Sequence, residues 1–139
     1  MIRLERVIDT LPDGFEVLRA EARSEGYRML DTLSAEWASG ATRFDHPGEA
    51  LFAAHAGDIL AGIGGLTVEP AITGALRMRR FYVRAACRRC GAGLMLANAL
   101  LDLSRRNGRT VTANAAAGSE AFWEALGFTP IFRDSTRIS

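Results

Sequence analysis

The sequence predicts one three-layer α/β domain, in which a mixed, mostly antiparallel sheet of about six strands is flanked by about four helices. The first observation behind this prediction is the order of the elements. A strand and two helices precede a run of three strands, and helices and strands alternate after that run. The second observation is size, because 139 residues with 48% hydrophobic side chains suit one core. We therefore expect a single domain over residues 1–139.

The N-terminal third should hold one strand and two amphipathic helices. The opening strand is predicted in IRLERV. The first helix is predicted in LPDGFEVLRAEARSEG, with Asp13 as the N-cap, apolar residues on one face and Gly26 as the stop. The second helix is predicted in GYRMLDTLSAEWASG, where apolar residues keep helical spacing until Gly40.

A hairpin and a further strand should form the middle of the chain. Two apolar runs, ALFAAH and ILAGIGGLTVE, are separated by AGD, which has the length and residue types of a β-hairpin turn. In ALRMRRFYVRA, Leu76 and Met78 alternate with arginines, and the alternation is less regular at Phe81 and Val83. We predict a third, half-buried strand in the centre of the sheet.

The C-terminal third should alternate helices with strands. A largely apolar helix with one polar stripe is expected from Gly91 to Arg106 and should end at Asn107 and Gly108. Another strand is expected in RTVTAN, and a short helix with Ser119 as its N-cap in SEAFWEALG. A last strand or pair of strands is expected in FTPIFRDSTRIS.

Charge and hydropathy limit the partners of the chain. The net charge is +1, which argues against a nucleic-acid surface, although six of the 17 basic residues, all arginines, lie between Arg77 and Arg89. No stretch reaches the roughly 18 apolar residues of a membrane span, and the start lacks the apolar core of a secretory signal. We expect a cytoplasmic protein that binds neither nucleic acid nor a membrane.

The arginine-rich turn between strand and helix has the features of an anion site. The free backbone N–H groups and the positive end of a helix dipole meet there, and Gly91 and Gly93 leave room for a phosphate. Arg88 and Arg89 could add charge-assisted hydrogen bonds. The glycines alone are equally consistent with an ordinary strand-to-helix turn.

Two segments of the chain resemble the GNAT N-acetyltransferase superfamily. One is FYVRAACRRCGAGLMLANALLD, which contains the Arg-x-x-Gly-x-Gly pattern before an apolar helix. The other is Asn114 followed by AFWEALGF, which is similar to the aromatic-Tyr-Glu-x-x-Gly-Phe segment of that family. The resemblance implies a GNAT-like fold and acetyl-CoA as co-substrate. The residues that it assigns to cofactor binding are Phe81, Tyr82, Val83, Arg88, Arg89, Cys90, Gly91, Ala92, Gly93, Asn114 and Trp123.

The resemblance also implies an activity, the transfer of an acetyl group to a primary amine of a small molecule or peptide. Many members use the tyrosine of the second motif as a proton donor, but Trp123 stands there and an indole is no useful acid. Glu69, Asp45 and His46 are candidate bases without a firm assignment, so the catalytic residues stay unassigned. A sensor that binds acyl-CoA without turnover is the alternative function, and a homodimer stays open.

The acceptor is expected to contact the first two helices and the loop after them, over residues 15–48. Tyr27, Met29, Trp37 and Phe44 could line its pocket, although core packing is expected for at least two of them. Peptides, polyamines, amino acids and drugs all stay open as acceptors.

Cys87 and Cys90 form a Cys-x-x-Cys pair that suggests redox or metal chemistry. A structural zinc site needs two further ligands, and the two histidines, His46 and His55, fall in a loop and a strand. A redox pair needs a thioredoxin-like context that this sequence does not supply. We therefore interpret both cysteines as packing residues and expect no metal, with the redox or metal protein as the least favoured function.

Overall fold

The computed structural model describes residues 1–114, 119–129 and 137–138. Five strands and a two-residue sixth form one sheet in the order of the sequence, β1-β2-β3-β4-β5-β6. The pairs are antiparallel except for β4 with β5, which are parallel. The strands are β1 (Ile2–Arg6), β2 (Ala50–Ala56), β3 (Ile59–Val68), β4 (Leu76–Val83), β5 (Val111–Asn114) and β6 (Arg137–Ile138).

Two helices cover each face of the sheet. One face carries α1 (Phe15–Ser24) and α2 (Met29–Ser39), whose apolar residues pack with alternate residues of β2 and β3. The other face carries α3 (Ala92–Arg106) and α4 (Glu120–Ala125). Side chains alternate between the faces along each strand, so the sheet supplies two cores from one set of strands.

The element order, the mixed sheet and the three layers confirm the predicted fold. One prediction is wrong in detail, because the N-cap of α1 is Gly14 and not Asp13. Gly14 has a φ of 88°, a left-handed conformation that favours glycine, and no side chain caps this helix. The last predicted strand falls mostly on residues outside the described ranges, apart from β6.

Two irregularities of β4 shape the region that follows. Its register with β5 consists of Leu76 opposite Val111 and Arg77 opposite Thr112, although β4 runs on to Val83. Its register with β3 shifts between Ile63 and Gly65, at a bulge where Arg80 has a φ of 56°. The end of β4 therefore diverges from β5 and carries a strained residue in its backbone.

Candidate functional site

A pocket of about 560 Å³ lies where β4 and β5 diverge. Its wall combines β4 from Arg77 to Val83, the start of α3, the end of β5, α4, the connection between α1 and α2, and the start of α2. Among the residues described, those that line it are Tyr27, Met29, Arg77, Met78, Arg79, Arg80, Phe81, Tyr82, Val83, Arg88, Gly93, Ala113, Asn114, Ser119, Phe122 and Trp123.

The backbone of β4 forms one side of this pocket. Beyond Arg77, β4 pairs with no described residue of β5, so the backbone N–H and C=O groups of this edge are open to the pocket. An extended ligand can pair with such an edge as an added strand would. The bulge at Arg80 changes the direction of the edge within the pocket.

The start of α3 provides free N–H groups at the end of the pocket. The first bond within this helix runs from the N–H of Met95 to the carbonyl of Gly91, 3.0 Å away, so the three N–H groups before Met95 precede the ladder. Gly91 has a φ of 88°, and a Cβ added there would meet no atom within 4 Å. The turn is therefore open, and its dipole favours an anion.

Arg88 is held by the protein itself. Its Nε donates to the carbonyl of Val83 at 2.9 Å, and its Nη1 donates to Oε2 of Glu25 at 3.1 Å. The guanidinium carbon also lies 5.5 Å from the centre of the Tyr82 ring. Hydrogen bonds from Arg88 and Tyr82 lower the pKa of the Glu25 carboxyl. Arg88 thus ties the turn to α1 and already has a carboxylate partner.

Tyr82 is tied to the same helix. Its hydroxyl donates to the carboxylates of Glu25 and Glu21, the latter at 3.3 Å. Burial, together with the hydrogen bond to Glu25, raises the pKa of Tyr82 well above its usual range. Glu21 also accepts from the N–H of Ala85 at 3.0 Å. The phenol is therefore held by two acceptors and is a weaker acid than an ordinary tyrosine.

Three arginines of β4 line the pocket, and their pairing differs. Arg80 makes a two-pronged ion pair with Glu36 of α2, Nε to Oε1 at 3.1 Å and Nη2 to Oε2 at 3.0 Å. Arg77 and Arg79 make no hydrogen bond or ion pair among the described residues. Burial lowers the pKa of Arg79, and the charges of Arg80 and Arg77 lower it further.

Trp123 belongs to both the core and the pocket wall. Only 6% of it is exposed, and its ring packs edge-on against three phenylalanines. The distances between ring centres are 5.2 Å to Phe81, 5.0 Å to Phe122 and 5.4 Å to Phe128. The contacts with these three rings hold the indole in place where α4 borders the pocket.

The pocket gathers most of the predicted cofactor residues. Those that line it are Phe81, Tyr82, Val83, Arg88, Gly93, Asn114 and Trp123. The remaining four, Arg89, Cys90, Gly91 and Ala92, lie in the adjoining turn and at the start of α3. The sequence analysis did not assign Arg77 and Arg79 to the site. The signal that could have found them is the regular alternation of arginine with apolar residues along a central strand.

Two of the four residues predicted for an acceptor pocket do line this pocket. Tyr27 and Met29 belong to its wall, whereas Trp37 and Phe44 are buried in the core of the α1/α2 face. The ring of Phe44 occupies the space that a side chain at Gly65 would take. Trp37 and Phe44 therefore serve packing.

The candidate bases lie outside the described wall of the pocket. Glu69 is 2% exposed and accepts from Oγ1 of Thr112 and from the N–H of Ala71, both at 2.9 Å. Asp45 and His46 are exposed on a loop, where their polar atoms lie within 4.8 Å of a carboxylate oxygen of Glu49. The hydrogen bonds from Thr112 and Ala71 give Glu69 a structural role just after the end of β3.

Cys87 and Cys90 are both free thiols. Cys87 is buried, and burial raises the pKa of its thiol. Cys90 is exposed, and its Sγ–H donates to the carbonyl of Cys87 at 2.8 Å. The two histidines lie elsewhere, with His55 bonded to Glu5 at 2.8 Å. Both cysteines thus belong to the turn that precedes α3.

The described part of the chain has no helix that is both long and apolar enough to cross a membrane.

Comparison with known protein families finds one family whose model matches most of the chain. The family described as acetyltransferase (GNAT) domain matches residues 14–137. A search of curated proteins found no significant match to this sequence.

Solved structures share the fold over nearly the whole chain. A presumed acetyltransferase from Exiguobacterium sp. 255-15 has a TM-score of 0.85 at 21% identity, covering 100% of this chain and 93% of that one. A GCN5-related N-acetyltransferase from Ralstonia eutropha JMP134 has a TM-score of 0.67 at 16% identity, covering 96% and 95%. A glucosamine-6-phosphate N-acetyltransferase from Arabidopsis thaliana has a TM-score of 0.66 at 13% identity, again covering 96% and 95%.

Proposed function

Because the chain belongs to the GNAT acetyltransferase family, we propose that it transfers the acetyl group of acetyl-CoA to a primary amine of a small molecule or peptide. The observation that carries this proposal is the opening between β4 and β5, which leads to the free N–H groups of α3. One continuous pocket thus offers an unpaired strand edge and an anion-binding turn.

The residues present fit coenzyme A. The edge of β4 from Met78 to Val83 offers backbone donors and acceptors to the amide groups of the pantetheine arm. The N–H groups of Ala92 and Gly93, with the open space beside Gly91, suit a pyrophosphate. Arg89 is exposed in the same turn and is free to approach phosphate oxygens, whereas Arg88 supports the turn through Glu25.

Acetyl-CoA supplies an activated acyl group when it is bound. The protein must polarise its carbonyl and provide for protonation of the leaving thiolate. Backbone N–H groups at the β4 bulge would polarise the acyl carbonyl, because that edge pairs with no strand in the described part of the chain. Nearby protein groups give little acid catalysis. The indole of Trp123 is no acid, and the hydroxyl of Tyr82 is held by two carboxylates. We infer that the departing thiolate takes its proton from water.

A sensor without turnover is the second candidate function. It is favoured by the replacement of the family's tyrosine by Trp123 and by the lack of a carboxylate among the described residues of the pocket wall. Both functions require coenzyme A binding, and only the transferase requires release of its thiol.

Calorimetry with acetyl-CoA tests the shared claim, and Gly91→Asp locates the phosphates. The variant places a negative charge where an anion should bind, so affinity should fall at least about thirtyfold, or ~2 kcal/mol. Gly108→Asp is the matched control, because Gly108 also has a positive φ, 65°, and no atom within 4 Å of an added Cβ. Equal affinities of the two variants would remove the phosphates from the α3 turn.

Thiol release with a panel of amines then separates the two functions. Amine-dependent release supports the transferase. Binding of acetyl-CoA without release across the panel supports the sensor.

A further inference from the structure

Arg77 and Arg79 are positive charges that the fold places in the pocket without a hydrogen bond or ion pair to any described residue. Both are half-buried on β4, and neither makes an ion pair or a hydrogen bond among the described residues. The other two arginines of the pocket wall are paired, Arg80 with Glu36 and Arg88 with Glu25. Glu36 and Glu69 attract Arg79 only from a distance, and a half-buried guanidinium without a hydrogen-bonded carboxylate is unfavourable for the free protein, which suggests a ligand as its counterion.

The wall of the pocket strengthens this imbalance. It contains four arginines and, among the described residues, no aspartate or glutamate. A site of this kind repels a polycation and attracts an anion. Burial, followed by the charges of Arg80 and Arg77, also lowers the pKa of Arg79.

The phosphates of coenzyme A do not account for these two charges. The α3 turn follows the end of β4 at Val83, and Arg79 lies four residues before that end, a distance of about 13 Å at strand spacing. Arg77 lies about 20 Å before it. A cofactor whose phosphates occupy the turn would send only its uncharged pantetheine arm and acyl end toward these arginines. The remaining anion must therefore come from the second substrate.

We propose that the acceptor amine carries an oxyanion, a carboxylate or a phosphate, which Arg79 binds with the support of Arg77. This inference rests on the proposed function and narrows its acceptor class, since it excludes polyamines. The same arginines would lower the pKa of the acceptor's ammonium group, because a nearby positive charge disfavours the protonated amine. A pocket whose described wall holds no carboxylate base would thereby still favour the reactive, neutral amine.

The binding test uses simple oxyanions and does not require the natural acceptor. Protein saturated with coenzyme A is titrated with inorganic phosphate or acetate, with chloride at matched ionic strength as reference, while the Nε–H resonance of Arg79 is followed. We expect a saturable shift of that resonance and at least about tenfold weaker binding in Arg79→Gln. Arg79→Lys should retain part of the affinity, and Arg106→Gln, on the exposed face of α3, should retain all of it.

The kinetic test uses pairs of amines that differ only in the oxyanion. The pairs are O-phosphoethanolamine with ethanolamine, glucosamine 6-phosphate with glucosamine, and glycine with glycinamide, and spermidine serves as the polycation. The charged member should have a kcat/KM at least about tenfold higher, and Arg79→Gln should abolish the preference. Preference for the phosphorylated or the carboxylated members identifies the kind of oxyanion.

The outcomes of these experiments distinguish a failure of this inference from a failure of the proposed function. Loss of coenzyme A binding in the wild type would overturn the proposed function itself. Normal coenzyme A binding without saturable oxyanion binding up to about 50 mM would overturn only the inference. Oxyanion binding that Arg79→Gln leaves unchanged, or faster acetylation of spermidine than of every anionic amine, would overturn it as well.

Discussion

Arg79 and Arg80 are adjacent arginines with opposite expected effects on stability. Arg80 has a φ of 56° at the bulge, and its guanidinium makes two bonds to Glu36. The side chain of Arg80 is 13% exposed and that of Glu36 is 21% exposed, so this ion pair is shielded from solvent. Arg80→Gln removes the charge and leaves the Glu36 carboxylate half-buried and unpaired, which should cost about 2 kcal/mol. Arg79→Gln removes a cation that makes no ion pair with any described residue, and it should cost no stability.

Thermal unfolding measures this difference. An unfolding entropy of about 2.1 cal/mol/K per residue amounts to about 0.3 kcal/mol/K for this chain, so ~2 kcal/mol lowers Tm by roughly 7 °C. We expect that decrease for Arg80→Gln, and a Tm for Arg79→Gln that is unchanged or higher. The double variant of Arg80→Gln with Glu36→Gln should recover part of the loss. Equal effects of the two single variants would refute the assignment of Arg80 as structural and Arg79 as unpartnered.

Hydrogen bonds from Arg23 and Arg19 lower the pKa of Asp31 to about 2, below its unfolded value of about 3.9, so this contribution to stability is present above about pH 4 and is lost as pH falls toward 2. Asp31→Asn should therefore lower Tm at pH 6 and not at pH 2, and a constant difference would contradict this. Iodoacetamide should label exposed Cys90 in the native protein and leave Cys87 unmodified until unfolding, as peptide mass spectrometry can show. Trp123→Tyr should remain folded with a loss of about 1–3 kcal/mol and release thiol faster, because a phenol can donate a proton and an indole cannot. Slower or unchanged release would show that the aromatic contacts of Trp123 matter more than its acidity.

The fold was predictable from the sequence because its signals are local. Alternation along β4, helical spacing along α3 and turn residues between strands each depend on neighbours within a few positions. The two family motifs also predicted which segments form the pocket, namely the end of β4, the start of α3, and β5 with α4. The bulge left only a trace, the less regular alternation at Phe81 and Val83, because an extra residue shifts the pattern without a signature of its own.

The pairing of the site's charges was not predictable, because its partners are distant in sequence. Arg88 and Glu25 are 63 positions apart, and Arg80 and Glu36 are 44 apart. Six clustered arginines therefore looked equivalent from the sequence. The packing of α1 and α2 against β4 decides which of them are neutralised and which are left for a ligand.

Titration of the protein with coenzyme A, followed through its backbone amide resonances, tests the central claim most directly. We expect saturable shifts that are largest in two segments, residues 78–83 of the open β4 edge and residues 91–94 at the start of α3. Amides on the exposed face of α1 and in the turn at Gly57 and Asp58 should stay unchanged. Saturable binding whose shifts leave both segments unaffected would contradict this coenzyme A site, as would the absence of any shift at millimolar coenzyme A.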